Sequence, residues 1–385
     1  MRSILVCLLF CVHICRSDVV CYNGRLGSGF QQTYNLKGFK SQLLGYGYFS
    51  VKTTVAPEVF GAMTSSHCEP NYRYRLLSRP NDPYYSDLEG ILKSIKATGS
   101  WRLRGLRKTY VAVVDTGIEW HHPDLGGRVD LELSFNAAGG DSDDFDDQDG
   151  HGTHVAGIIG ARANNGEGAL GISNNVRFIA VRISDDEGKM TLEYIVNAFT
   201  YLIYLRDLGV NIRAINASFG GYSYSSILYS LVQELSKRRV ILVAAAGNDS
   251  VNFDLFPVYP AGYKLPNVVP VGSGFWQSDG SAWISSFSNY GRNVKIIAPG
   301  DQVLNTFINH GYESLSGTSM ATPFVTGALA VYFGYAPKAS HKDAVSDLLS
   351  SCTKLAPLEI YANSGCYLNL NNLVKKAKLR ASKRR

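Results

Sequence analysis

The chain has 385 residues, 45% of them apolar, with 38 basic against 32 acidic side chains and a net charge of +6. That length supports one or two packed domains, and the composition argues against disorder, a coiled coil and multiple membrane spans. Seven positive charges sit in the tail, residues 375–385, so the remainder is near neutral and a nucleic-acid role has no support.

At the N-terminus, Arg2 precedes an apolar stretch, residues 4–15, that is too short to span a bilayer. Small residues follow near Ser17. This reads as a secretory signal, residues 1–17, cut close to Ser17 and Asp18. Cys7, Cys11 and Cys15 would leave with it. Four cysteines remain, Cys21, Cys68, Cys352 and Cys366, an even number on an oxidising route. Residues 18–77 carry no catalytic motif; strands are predicted at 46–54 and 68–74, a short helix at 57–63, and the segment 21–44 is weakly patterned. From about residue 81 the pattern becomes βα alternation. Apolar strand runs fall at 111–115, 178–183, 214–218, 240–246, 268–271 and 294–298. Helical runs fall at 151–164, 192–208, 225–238, 318–334 and 342–350. Strands apolar throughout, separated by such helices, predict an α/β fold with a parallel sheet buried on both faces. Sites in such sheets lie at the carboxyl ends of strands, where Asp115 and Asn248 fall.

Gly317-Thr318-Ser319 places a serine at the mouth of a helix. Most such serines only cap. A nucleophilic serine needs a base, and the base needs an orienting group. His151 opens a helix after Gly150, and Asp115 ends an apolar strand. Acyl transfer also needs donors for the developing oxyanion; the Asn248 amide and the Ser319 N–H are the candidates. One turn beyond His151, His154 reads as structural.

Together, Asp115-Thr116-Gly117, His151-Gly152-Thr153-His154-Val155-Ala156-Gly157 and Gly317-Thr318-Ser319-Met320-Ala321-Thr322-Pro323 resemble the three signature blocks of the subtilisin-like serine proteases, in that family's order. The resemblance covers roughly residues 81–336. It implies a three-layer αβα fold with a mostly parallel central sheet over residues 78–370, and a serine endopeptidase acting through an acyl-enzyme. Asp115 would orient His151, the general base; Ser319 would be the nucleophile and Asn248 an oxyanion donor. Glu69-Pro70-Asn71-Tyr72 resembles the end of the family's inhibitory propeptide, which makes residues 18–77 a small α+β inhibitory unit. Of three cysteine pairings, Cys21–Cys68 with Cys352–Cys366 is preferred, because each pair then lies on one side of that cleavage.

The resemblance also implies where the substrate lies. Ser218, Phe219 and Gly220 form one wall and binding strand; Gly188, Lys189 and Met190 form the opposite rail, bulkier than the family's usual glycines. Ala245 and Gly247 form the other S1 wall. Val258 would make the pocket shallow, favouring small or medium side chains, while Asp249 at the rim offers the alternative of a basic one. The loop 163–169 has the length of the family's calcium loop. The implied oxygen donors are Asn165, the carbonyls of Ala163, Glu167 and Ala169, and the carboxylates of Asp82 and Asp124; a glycine-rich loop without an ion is the alternative. The acidic run 141–149 reads as a solvated insertion, with a second cation site or a screen for basic substrates as alternatives, and the basic tail 371–385 as a solvated, partly helical extension. The expectations are a secreted, calcium-bound, monomeric protease made as a proprotein, with protein or peptide substrates, its own propeptide as inhibitor, and no transmembrane segment.

Overall fold

A computed structural model describes residues 17–22, 33–36, 39–45, 48–53, 59–60, 62, 67–70, 79–103, 105–277 and 281–382. The predicted signal therefore lies outside the described residues, apart from Ser17. Two compact units result, Met1–Arg79 and Pro80–Arg385.

The first unit is an antiparallel sheet of β1 (Ser17–Tyr22), β2 (Thr33–Leu36), β3 (Phe39–Gly45), β4 (Tyr48–Thr53) and β5 (His67–Pro70), in the order β2-β3-β4-β1-β5. Cys21 and Cys68 stand opposite each other on β1 and β5 and form the expected disulfide. Two of these strands, β2 and β3, lie in the weakly patterned region. Tyr34, Asn35, Lys40, Ser41 and Gln42 give β2 and β3 no apolar run, so pairing defines them where composition does not.

The second unit is built on a mostly parallel sheet: β6 (Thr109–Asp115), β7 (Phe135–Asn136), β8 (Val176–Arg182), β9 (Ile212–Ala217), β10 (Ile241–Ala245), β11 (Val268–Trp276), β12 (Ala282–Ile284) and β13 (Ile296–Pro299). β14 (Val303–Phe307) and β15 (Gly311–Leu315) form a separate hairpin; β16 (Thr353–Lys354) and β17 (Cys366–Tyr367) close one edge of the sheet. The order is β16-β17-β13-β11-β10-β9-β6-β8-β7, with β12 added antiparallel to β11. The central strands β9 and β10 are buried at every residue, as a sheet covered on both faces requires.

Among the described residues, seven α-helices accompany it: α1 (Tyr85–Ser94), α2 (His151–Gly160), α3 (Leu192–Asp207), α4 (Ser226–Lys237), α5 (Thr318–Tyr335), α6 (His341–Ser351) and α7 (Leu370–Ser382). α2, α5, α6 and α7 pack on one another, and α3 packs on α4. The fold is the three-layer α/β arrangement. α5 is buried almost all round, which explains why it shows no polar stripe. Among the described residues, no helix is long and apolar enough to cross a membrane.

Two readings need correction. α2 stops at Gly160 instead of reaching residue 164; Ala161 is already extended, and the chain turns there into the loop toward Asp82 and Asp124. The basic tail is not a solvated extension. It forms α7, which buries Leu370, Leu373, Val374 and Ala377, and Arg380 binds Asp343 and Asp347 at 2.7 and 2.6 Å. Its lysines and arginines hid an apolar stripe at helical spacing. The Cys352–Cys366 disulfide is present, spanning α6 and β17.

Candidate active site

Asp115 is the last residue of β6, and its side chain is 1% exposed. The left-handed Gly150 (φ +104) introduces α2, and a Cβ there would strike the Phe307 ring, so only glycine fits. Gly150 cannot cap the helix with a side chain, and Asp147 does so instead. Asp147 Oδ2 accepts from the Thr153 N–H (2.8 Å) and hydroxyl (2.6 Å), and Oδ1 from the Gly150 N–H (3.0 Å). The acidic run is thus partly the cap of the His151 helix. At Gly152 a Cβ would collide with the Gly117 carbonyl. This close approach brings His151 Nδ1 to 2.6 Å from Asp115 Oδ1, while the Thr116 N–H donates to the same oxygen. Burial disfavours the charged imidazole, but the charge and hydrogen bond of Asp115, joined by Asp149 and Asp147, outweigh it and push His151 up to about 9.

Ser319 is the second residue of α5, where backbone N–H groups have no partner within the helix. Its hydroxyl donates to the Ser218 carbonyl (2.9 Å). Pro323, four residues on, has no N–H to give the Ser319 carbonyl, and the Ser218 hydroxyl takes that place at 2.8 Å. Asn216 donates to the same Ser218 hydroxyl and accepts from Thr326, both fully buried side chains. A chain of polar contacts thus fixes Ser319 to the end of β9. A Cβ on Gly317 would stand 3.4 Å from Asn248 Nδ2 and 3.5 Å from Ser319 N, so both donors flank one point.

Val258 joins the two proposed S1 walls: a Cβ on Gly220 would collide with its Cγ1, and one on Gly247 would stand 3.0 Å from its Cγ2. Ala245 ends β10 beside them. Gly188, Lys189 and Met190 close a tight turn, in which the Lys189 N–H donates to Asp185 Oδ1 (2.7 Å), its carbonyl accepts from Asp185 N–H (3.1 Å), and Met190 bridges to Ser184.

The profile of the Subtilase family matches residues 107–365. The chain belongs to the subtilase family of serine endopeptidases. It is 36% identical over 270 residues to the thermophilic serine proteinase of Bacillus sp. (strain AK1), covering 69% of this chain and 62% of that one. It is 36% identical over 266 residues to thermitase of Thermoactinomyces vulgaris, covering 68% and 88%. Among solved structures, a cold-adapted subtilisin-like serine proteinase aligns with TM-score 0.58 at 30% identity, covering 68% of this chain and 89% of that one. A protease of Pseudoalteromonas arctica aligns with TM-score 0.66 at 26% identity, covering 78% and 100%.

Other positions of this subtilase gain partners that the sequence did not show. His154 is fully buried, and its Nε2 donates to the carbonyls of Val303 and Glu313; burial pushes it down to about 4, so it stays neutral. Asn289, fully buried in a serine-rich stretch without a local signal, holds the turn after Gly247: Oδ1 accepts from Asp249 and Val251, and Nδ2 donates to the Ala246 carbonyl. The Asp249 carboxylate accepts from Tyr222 OH at 2.6 Å.

In the loop implied for calcium, Asp82 and Asp124 are buried and have no salt bridge among the described residues. Asp82 accepts from Asn164 N–H; burial raises its pKa, with the charge of Asp124 adding to the rise. Asp124 accepts from Asn165 Nδ2 (2.7 Å), Ala169 N–H (2.9 Å) and Tyr312 OH (2.9 Å). Ala163 is half-buried and Glu167 exposed. Two buried carboxylates, hydrogen-bonded but with no cationic side chain paired to them among the described residues, fit a hard divalent cation.

Proposed function

We propose that the chain is a secreted endopeptidase, made as a proprotein, in which Asp115, His151 and Ser319 form the catalytic triad. The single observation that supports this most is the 2.6 Å contact between His151 Nδ1 and Asp115 Oδ1; Ser319 lies at the N-terminus of α5, which packs on α2. His151 Nε2 takes the Ser319 proton as Oγ attacks the scissile carbonyl, and Asp115 stabilises the imidazolium. Asn248 Nδ2 and Ser319 N–H donate to the oxyanion. The imidazolium then protonates the leaving amine, and water repeats the sequence to release the acid.

The substrate, a protein or peptide, lies as an added strand along Ser218, Phe219 and Gly220, with Gly188, Lys189 and Met190 opposite. Its P1 side chain enters between Ala245, Gly247 and Val258. Residues 18–77 act as the inhibitory propeptide. Calcium, held by Asp82, Asp124, Asn165 and the carbonyls of Ala163, Glu167 and Ala169, supplies structural stability, and the mature enzyme works as a monomer.

One experiment covers catalysis and processing. The full chain and its Ser319→Ala variant are expressed, treated with a fluorophosphonate probe, and their N-termini sequenced. The reading expects labelling and a new N-terminus near residue 78 for the parent only. Equal labelling of both forms, or identical processing of both when each is expressed alone, overturns it.

A further inference from the structure

Glu119, His121 and His310, none of them assigned to catalysis or to calcium, converge on one point. Glu119 is buried. His121 Nε2 lies 3.6 Å and His310 Nε2 3.9 Å from the same oxygen, Glu119 Oε1, and all three ligand atoms lie within 4.8 Å of one another. A tetrahedral ion with bonds of about 2.0–2.1 Å spaces its ligands about 3.3–3.4 Å apart. Small rotations of two half-exposed imidazoles close the difference.

The surroundings are organised for coordination. Nδ1 of His121 lies 4.0 Å from Asp146 Oδ2, too long for a hydrogen bond but placed so that a small ring rotation would complete the carboxylate–imidazole pairing that orients metal-bound histidines. Asp146 Oδ1 is buried and has no hydrogen-bond partner among the described residues. Glu119 is fixed at both ends: its N–H donates to the Thr153 hydroxyl (2.9 Å), and its Oε2 accepts from the His310 N–H (3.1 Å). His122 is excluded as a ligand, because its Nε2 donates to the Gly311 carbonyl and its Nδ1 accepts from Asp124 N–H. His310 also sits where its backbone alone does not favour it. Asn309 and His310 have φ +59 and +56 in the β14–β15 turn, and glycine is the usual second residue of such a turn.

We infer that Glu119, His121 and His310 form a binding site for a divalent transition metal of the zinc class, with Asp146 orienting His121 and water completing the shell. Two imidazoles and one carboxylate suit zinc and reject calcium. The bound ion would tie the loop after β6 to the tip of the β14–β15 hairpin.

The test uses the Ser319→Ala chain, stripped of metal and resaturated with calcium, and titrates zinc by calorimetry. One saturable site is expected, with a zinc-dependent rise in melting temperature. His121→Ala and His310→Gly should each weaken binding at least about tenfold and abolish that rise, and Asp146→Asn should weaken it about 10–100-fold. His310→Gly suits the turn, so its melting in chelator should match the parent. If it does not, His121→Ala, on a half-exposed side chain, gives the same reading. Absence of saturable zinc binding overturns the inference, as does unchanged affinity in His121→Ala and His310→Gly.

Discussion

Thr318 holds the Asn248 side-chain oxygen from two sides: its N–H and its hydroxyl each donate at 2.8 Å. With Oδ1 engaged, the amide cannot flip, and Nδ2 faces the point it shares with Ser319 N–H. Thr318→Val removes one of the two anchors without changing shape. It is expected to lower kcat by about tenfold, less than the about 10²–10³-fold of removing the donor itself in Asn248→Ala, with KM little changed in both. Steady-state kinetics on one peptide series checks the ranking; a Thr318→Val enzyme equal to the parent would count against it.

The imidazole of His151 must be neutral to accept a proton. Burial opposes its charge, but Asp115, Asp149 and Asp147 hold it up to about 9. kcat/KM should therefore rise with pH through the neutral range and level off in the alkaline range. A raised folded pKa also means that this group stabilises the fold below its unfolded value of about 6.5, and that the contribution is lost as pH rises through about 9. Asp149→Asn keeps the oxygen that accepts from His151 N–H at 3.1 Å and removes the charge. The acid limb of its kcat/KM profile should move to lower pH.

Val258 touches both walls of the proposed S1 pocket. Val258→Ala should deepen the pocket and raise kcat/KM for Phe or Tyr at P1 relative to Val by about tenfold or more. A P1 library measured on parent and variant decides it; a parent that already prefers aromatics would sink the proposal.

Leu373 on α7 is fully buried. Leu373→Ala should destabilise by about 2–5 kcal/mol in denaturant unfolding, with kcat/KM unchanged. A loss below about 0.5 kcal/mol, the scatter of surface changes, would mean that α7 contributes no packing.

Calcium removal by chelation should lower the melting temperature of the Ser319→Ala chain, because a ligand bound only to the folded state stabilises by mass action. Asp82→Asn should melt at the same temperature with and without chelator. A parent insensitive to chelation would remove calcium from the account.

The sequence was most legible where residues are buried on both sides. β6 and β10 are continuous apolar runs, and Gly150 and Gly152 on either side of His151 mark backbone approaches that tolerate no Cβ. Contacts between distant residues were not legible. Asn289 lies 42 residues beyond Gly247, and Thr318 reaches Asn248 across 70; no local pattern announces either. The hairpin β14–β15 shows no strand pattern in the sequence because no residue of β15 is fully buried and two of its five are exposed, yet it supplies Tyr312 to Asp124. In the acidic run, composition suggested solvation, whereas Asp147 spends both oxygens on the helix that carries His151.

Arg182 spans two loops that are separate in sequence. Its guanidinium, on a side chain 2% exposed, reaches Asp144 at 3.3 Å and Asp186 at 2.7 Å, and its Nε donates to the Ser184 carbonyl at 2.9 Å. Asp144 belongs to the acidic run and Asp186 to the turn that carries Lys189. The cation is thus counterbalanced twice. Either carboxylate can be neutralised while the other still answers it, but losing both strands a positive charge inside the protein. The acidic run that caps the His151 helix and the turn proposed as the far bank of the substrate channel therefore share one redundant fastening.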